Sequence, residues 1–229
     1  MFVPLFKLSL GIIANMTIEI LTLFPEYFES PLKTSLLDKA QKNGVVNISI
    51  VNIRDFSLDA HKATDDRPYG GGPGMVMQVE PIDRAVSSID ATNRRVILLS
   101  AQGSRFTQKD AERYTTYDNL VFICGHYEGV DERVVETIAD EEKRIGDFVM
   151  MGGEPAALAM VESVVRLLPG VLGNPASPQD ESHSVPGSLG FLQYSRPADY
   201  KGKKVPEVLL NGNHAEIAMW REANRKKYD

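Results

Sequence analysis

Glycines stand directly after three strand-like runs of this 229-residue chain. Leu98-Leu99-Ser100 leads into Ala101-Gln102-Gly103, Phe122-Ile123-Cys124 into Gly125-His126-Tyr127-Glu128-Gly129, and the run holding Ile145 to Val149 into Met151-Gly152-Gly153-Glu154. Glycine permits backbone conformations and close approaches that a Cβ forbids, and ligands of open α/β sheets bind beyond the carboxyl ends of the strands. Three such loops on neighbouring strands are expected to enclose an adenosine-sized molecule. A fourth glycine-rich stretch, residues 65–75 (DDRPYGGGPGM), mixes permissive with fixed dihedrals and predicts a shaped loop. It lacks the Lys-Ser/Thr of a P-loop and the spacing of a dinucleotide fingerprint. Arg67 is left either to orient a phosphate or to pair with Asp65 and Asp66. Asp180 and Glu181, in a serine-rich segment downstream of Arg166, are candidate general bases near such a pocket. No metal pattern stands out, because His61, His126, His183 and His214 are scattered without ligand spacing. A Gly-x-Ser-x-Gly nucleophile elbow is absent as well.

These residues need a scaffold, and strand-like and helix-like runs alternate from residue 17 to about 170. The run from Thr17 to Phe24 reads as a strand closed by Pro25. Phe28, Leu32, Leu36, Leu37 and Ala40 then recur at helical spacing up to Asn43-Gly44. Strands are predicted over 45–53, 95–100, 119–125 and 144–151, and helices after Pro81, over 107–116 and 130–138, and from Glu154 to Leu168. Such alternation predicts an α/β fold, a mostly parallel sheet with helices on both faces. Residues 173–197, rich in Pro, Ser and Gly without an apolar period, predict a flexible interdomain linker. A small helical C-terminal unit follows over 198–229, its helix expected from about Asn213 to Lys226.

The formal charge of −6 argues at first against a nucleic-acid partner. The distribution is uneven, however. Residues 196–229 carry a net +3, including Lys201, Lys203, Lys204, Arg221, Arg225, Lys226 and Lys227, while eight carboxylates crowd between Glu128 and Asp147. The single Cys124 excludes an intrachain disulfide and fits a reducing cytoplasm. The apolar N-terminus lacks a basic leader and a cleavage site and is too short to span a bilayer, so no membrane partner is expected. Residues 1–15 read as an extension upstream of a natural start at Met16.

The blocks DDRPYGGGPGMVM, CGHYEGVDERV, RIGDFVMMGGE, RLLPGVLG, YSRP and VPEVLLNGNHAEI, in this order from about Thr17 to Arg221, resemble the bacterial tRNA (guanine-N1)-methyltransferase family. The resemblance implies a SPOUT fold in which residues 16–172 form the cofactor-binding domain, with a deep C-terminal trefoil knot holding S-adenosyl-L-methionine. It implies cofactor contacts at Leu99, Ser100 and Gly103, at Gly125, Tyr127 and Glu128, and at Ile145, Gly146, Asp147, Phe148, Val149, Met150, Gly152 and Gly153. The implied reaction is methyl transfer to N1 of the guanosine immediately 3′ of the anticodon, in tRNAs where another guanosine precedes it. A linker carboxylate is the implied base, and Arg166 the cation near the guanine oxygen. A homodimer that shares the pocket is implied too, with Arg67, Gly72, Gly74 and Arg196 at the surface facing tRNA or the partner subunit.

Three departures accompany the resemblance. His126 stands where the family usually has arginine, and Gly190 where it usually has an acid. The family's Asp-Ser-Phe appears as Asp180-Glu181-Ser182-His183, which leaves either carboxylate as the base. A Mg2+ requirement stays open. The competing readings are a non-catalytic cofactor-binding tRNA module and a SPOUT ribose 2′-O-methyltransferase.

Overall fold

Aliphatic and β-branched residues collect in short runs that the computed structural model pairs into one sheet. It describes residues 16–174, 180–185 and 187–227, and the N-terminal extension lies outside them. In chain order the elements of the first unit are β1 (Met16–Thr22), α1 (Ser35–Lys42), β2 (Val46–Asn52), β3 (Asp65–Asp66), β4 (Val76–Met77), α2 (Val79–Ser87), β5 (Arg94–Arg105), α3 (Gln108–Tyr114), β6 (Asn119–Cys124), α4 (Glu132–Thr137), β7 (Glu141–Arg144) and α5 (Glu154–Val165). The main sheet has the order β2-β1-β6-β5-β7, and every neighbouring pair in it runs parallel. Side chains alternate across it with the period of two that a strand imposes. Ile18, Ile20, Ile97, Leu99, Leu120 and Phe122 join one buried cluster with Ala111, Tyr114, Met160 and Val161 of α3 and α5. Leu21, Val96, Leu98, Val121 and Ile123 join the other with Ile82, Ala85 and Val134 of α2 and α4. Helices therefore cover both faces, and all six residues of the central β6 are buried.

Three local expectations are corrected. The helix read from Phe28 to Ala40 is broken into two 3₁₀ turns, Pro25–Phe28 and Pro31–Lys33, followed by the shorter α1. Proline lacks the N–H that a continuous helix needs. Ala101-Gln102-Gly103 is an extension of β5, with a register shift against β7 between Leu99 and Ser104. There Gly103 packs so closely on the β7 backbone that a Cβ would collide with Glu142 and Lys143. Finally, Ile145 to Val149 is not a strand. β7 ends at Arg144, and at Gly146 the ring of Phe148 fills the space a Cβ would take.

Polar side chains anchor the β7 edge. Glu141 accepts from Arg95 Nε at 2.5 Å and from Arg113 Nη1 and Nη2 at 2.6 and 2.7 Å, and Lys143 reaches Asp110 at 3.0 Å. Burial pushes the Glu141 carboxyl up, but the hydrogen bonds and charges of Arg113 and Arg95 outweigh it and hold its pKa down at about 2. A carboxyl depressed on folding stabilises the native state above its unfolded pKa, here near 4.5, and loses that contribution as pH falls toward about 2. Glu141→Gln is therefore expected to cost on the order of 2 kcal/mol at pH 7 after solvent screening. Denaturant titrations should show the gap to wild type shrinking by about half at about pH 3; an equal gap at both pH values would contradict the assignment.

The chain divides into two compact units, one up to Gly173 and one from Asn174. The second contains a hairpin of β8 (Asp199–Tyr200) and β9 (Lys203–Lys204) and the helix α6 (His214–Ala223), which ends before the expected Lys226. The Asn213 side chain caps α6 by accepting from the amides of Ala215 and Glu216. Among its described residues none is buried.

Candidate active site

At the carboxyl ends of β6 and β7, against the middle of β5, lies a cleft of about 250 Å3. Of the residues singled out in the sequence, Leu99, Ser100, Gly125, Tyr127, Glu128, Ile145, Gly146, Phe148, Val149, Met150, Gly152 and Gly153 line it, whereas Gly103 and Asp147 do not. Gly103 serves strand packing, and Asp147 pairs with Arg144 at 2.9 Å. Glu132, Glu142, Lys143 and Arg144 line the cleft too, and the sequence reading missed them. They sit on a helix and a strand, where no local signal marks which side chains reach a neighbouring loop.

Glycine is dictated by backbone contact at the floor of the cleft. The Gly153 amide donates to the Gly125 carbonyl at 2.8 Å, and the Gly125 amide to the Leu99 carbonyl at 3.3 Å. A Cβ on Gly125 would lie 2.6 Å from the Leu99 carbonyl oxygen, and one on Gly153 would lie 2.9 Å from Cys124 Cα. Neither position has room for a side chain. Tyr127 has φ +59°, a left-handed conformation that costs a bulky residue about 1–2 kcal/mol. Its loop is fastened on both sides, since the Glu128 amide donates to Met75 at 3.0 Å and the Met77 amide to Gly129 at 2.9 Å. The glycine-rich loop is thus tied to the cleft as a hairpin between β3 and β4. Within it Gly72 has φ +122° and Gly74 has φ +75°, and the Glu128 side chain occupies the space a Cβ on Gly74 would need. Arg67 is exposed and makes no side-chain ion pair with Asp65 or Asp66 among the described residues.

Arg166 follows the last residue of α5. Twelve helical residues separate it from the cleft end of that helix, about 18 Å. In the second unit Asp180 is ion-paired with Arg225. Next to it the Glu181 carbonyl accepts from the Ser184 hydroxyl at 2.8 Å, and Ser182 Oγ accepts from the Gly190 amide at 2.8 Å. Arg196 lines a second cleft of about 410 Å3, together with Phe191, Tyr194, Leu209, Ile217 and Arg221. The Arg221 and Arg225 guanidinium groups stack over Phe191 at 4.8 and 5.6 Å. Among the described residues, no three His, Cys, Asp or Glu side chains gather as a metal site, and no helix is long and apolar enough to cross a membrane.

The sequence profile of the family described as tRNA (Guanine-1)-methyltransferase TrmD matches residues 16–228. The chain belongs to this family. Relatives named tRNA (guanine-N(1)-)-methyltransferase include those of Carboxydothermus hydrogenoformans, 52% identical over 90% of this chain and 81% of the relative, and Geobacillus kaustophilus, 53% identical over 90% and 85%. The Bacillus subtilis relative is 51% identical over 93% of this chain and 89% of its own length. The methyltransferase family match runs from β1 past α6, so both clefts fall inside it.

Proposed function

We propose that the chain is a tRNA (guanine-N1)-methyltransferase that uses S-adenosylmethionine to modify the guanosine immediately 3′ of the anticodon, in tRNAs where another guanosine precedes it. The observation that carries this reading is the family match over residues 16–228 together with a cleft at the carboxyl ends of β6 and β7, against the middle of β5. The cleft suits the cofactor chemically. Carboxylates of Glu128, Glu132 and Glu142 outnumber Lys143 and Arg144 in its lining, beside apolar Leu98, Val130, Val135 and Ile145, a balance that suits a cation joined to an adenosine. Leu99, Gly125, Ile145, Gly146, Gly152 and Gly153 would hold the nucleoside, and the bound cofactor supplies an electrophilic methyl group. The competing readings are not favoured, because the similar relatives carry the name of a base methyltransferase.

The protein's own groups supply the rest. Attack by guanine N1 requires loss of its proton, and a linker carboxylate, Asp180 or Glu181, accepts it. Asp180 must first leave Arg225. Arg166 stabilises the negative charge that develops on the guanine oxygen. Because α5 holds Arg166 about 18 Å from its own cleft, the reading requires a homodimer in which one subunit's Arg166 and linker complete the other's cleft. Two features support that assembly. Among the described residues of the second unit none is buried, and Phe148, Val149 and Met151 at the cleft are 57, 85 and 92% exposed.

On this reading residues 16–172 form the cofactor domain, knotted through the turn at Gly146 and the return of α5. Residues 173–197 are the linker, and 198–229 face tRNA. The cleft that the end of the linker, with Phe191, Tyr194 and Arg196, forms with Arg221 offers stacking and charge to a single-stranded loop. Arg67, Gly72 and Gly74 belong to the surface shared by the partner subunit and the tRNA. The cytoplasm, where the substrate is found, is the proposed location. The test is transfer of labelled methyl from S-adenosylmethionine to an anticodon-loop transcript containing the two guanosines, followed by nucleoside analysis. N1-methylguanosine is the expected product; no transfer at any protein concentration, or a methyl group on the ribose, would overturn the reading.

A further inference from the structure

Two buried polar side chains, Thr22 and Glu154, meet the half-buried His126 at the wall of the cleft. Glu154, the first residue of α5, is 4% exposed, and the fully buried Thr22 at the end of β1 donates its hydroxyl to Glu154 Oε1 at 2.8 Å. The other oxygen, Oε2, lies 4.0 Å from Nδ1 of His126. That nitrogen is buried and has no hydrogen-bond partner among the described residues. The imidazole is wedged between the rings of Phe24 and Tyr127, at 4.9 and 5.1 Å. Its backbone forms an isolated antiparallel bridge with Gly152, joining the second loop of the cleft to the third. A Cβ on Gly152 would collide with both the Glu154 carboxylate and the imidazole. Gly152 is thus required by the side-chain pair underneath it.

A buried polar atom left unpaired costs about 1–3 kcal/mol, and a buried carboxylate needs donors. With Nδ1 unprotonated, its lone pair faces the carboxylate. With a proton there, the two groups satisfy each other after an approach of about 1 Å to ordinary hydrogen-bond distance. The surroundings supply one anion and no competing cation in contact. Glu154 comes from α5, Tyr127 from the same loop, and Cys124 from the end of β6, where burial and then the charge of Glu154 push its thiol well up. Arg54 stands on the far side, donating to the Tyr127 hydroxyl at 3.5 Å. Thr22 and Phe24 bring no charge.

We propose that His126 is a positioning residue: with a proton on Nδ1 it ties the 125–130 loop to the buried Glu154 carboxylate, and so fixes the spacing of the two loops that receive the cofactor. This rests on the reading of the cleft as the cofactor site. The neutral ring can carry its proton on Nδ1, so the tie requires a donor at this position. Alanine at position 126 should remove it, and arginine should restore a donor.

The test uses the full-length protein and calorimetric binding of S-adenosylmethionine. His126→Ala is expected to bind about tenfold more weakly than wild type, the scale of one hydrogen bond to a charged group, and His126→Arg, which restores a donor, to bind within about twofold of wild type. Glu154→Gln should add little to the loss in His126→Ala. In ligand-free protein labelled with 15N-histidine, the signal missing from His126→Arg identifies His126, and its Nδ1 should be the nitrogen that carries the proton. An unchanged affinity in His126→Ala overturns the proposal and leaves the cofactor site standing, and so does an Nδ1 without a proton. Absence of binding by wild type overturns the cofactor reading and the proposal with it. Should the Glu154→Gln variants fail to fold, the comparison of wild type with His126→Ala and His126→Arg still decides.

Discussion

Exchanging Asp180 for Asn and Glu181 for Gln together is expected to lower methyl transfer roughly 100- to 10,000-fold, the range of a lost general base, while S-adenosylmethionine binds within about twofold of wild type. The amides keep the shape and much of the hydrogen bonding of the carboxylates but cannot accept the guanine N1 proton. Binding should survive because neither residue lines the cleft at β5, β6 and β7. The single variants then separate the two groups. Asp180 is ion-paired with Arg225, and a carboxylate held by a guanidinium must be released before it takes a proton. The single variant, Asp180→Asn or Glu181→Gln, that reproduces most of the loss identifies the base. Single-turnover kinetics with saturating cofactor measure this directly. A double variant with an unchanged chemical step would remove the linker from the mechanism.

The second large effect is expected at Gly153. A valine there would place Cβ 2.9 Å from Cys124 Cα and 3.0 Å from both the Gly125 amide nitrogen and Leu99 Cβ. Two of these are backbone atoms of β6 and its loop, which cannot move without opening the sheet. The 2.8 Å bond from the Gly153 amide to Gly125 would be lost with the displacement. Overpacking of this kind costs about 1–3 kcal/mol, or about 2–12 °C in Tm at this chain length. Calorimetry should show S-adenosylmethionine binding weakened at least about 100-fold, because the second and third loops of the cleft meet at this contact. Gly173→Ala is the matched control, since a Cβ there meets open space. If Gly153→Val bound the cofactor within about twofold of wild type, the close backbone contact would not shape the site.

Both predictions concern residues that the sequence singled out, and it also carried most of the fold. Apolar runs with a period of two or of 3.6 report burial directly, so β1, β2, β6, α3 and α5 were legible. The misread elements are those where one residue outweighs the pattern. Pro31 interrupts an apolar helical period that looked continuous. The apolar run from Ile145 to Met150 does not pair as a strand because it walls a cleft. The charge count misled for a similar reason, since a sum carries no positions. The carboxylates between Glu128 and Asp147 belong to the first unit, and the net +3 of residues 196–229 lies within the second, which carries +1 as a whole.

The sequence by itself determined the α/β class, the family and the glycines at the cleft, because each depends on residue type and local order. Only the tertiary structure decided what each residue does there. Gly103 and Gly152 looked alike as loop glycines, yet one lets two strands approach and the other leaves room for an imidazole and a buried carboxylate. His126 read as a scattered histidine until Glu154 and Thr22, distant in the chain, were found beside it. Such roles arise from contacts between residues tens of positions or more apart in the chain. No local pattern encodes them, since they exist only once the sheet has brought its strand ends together.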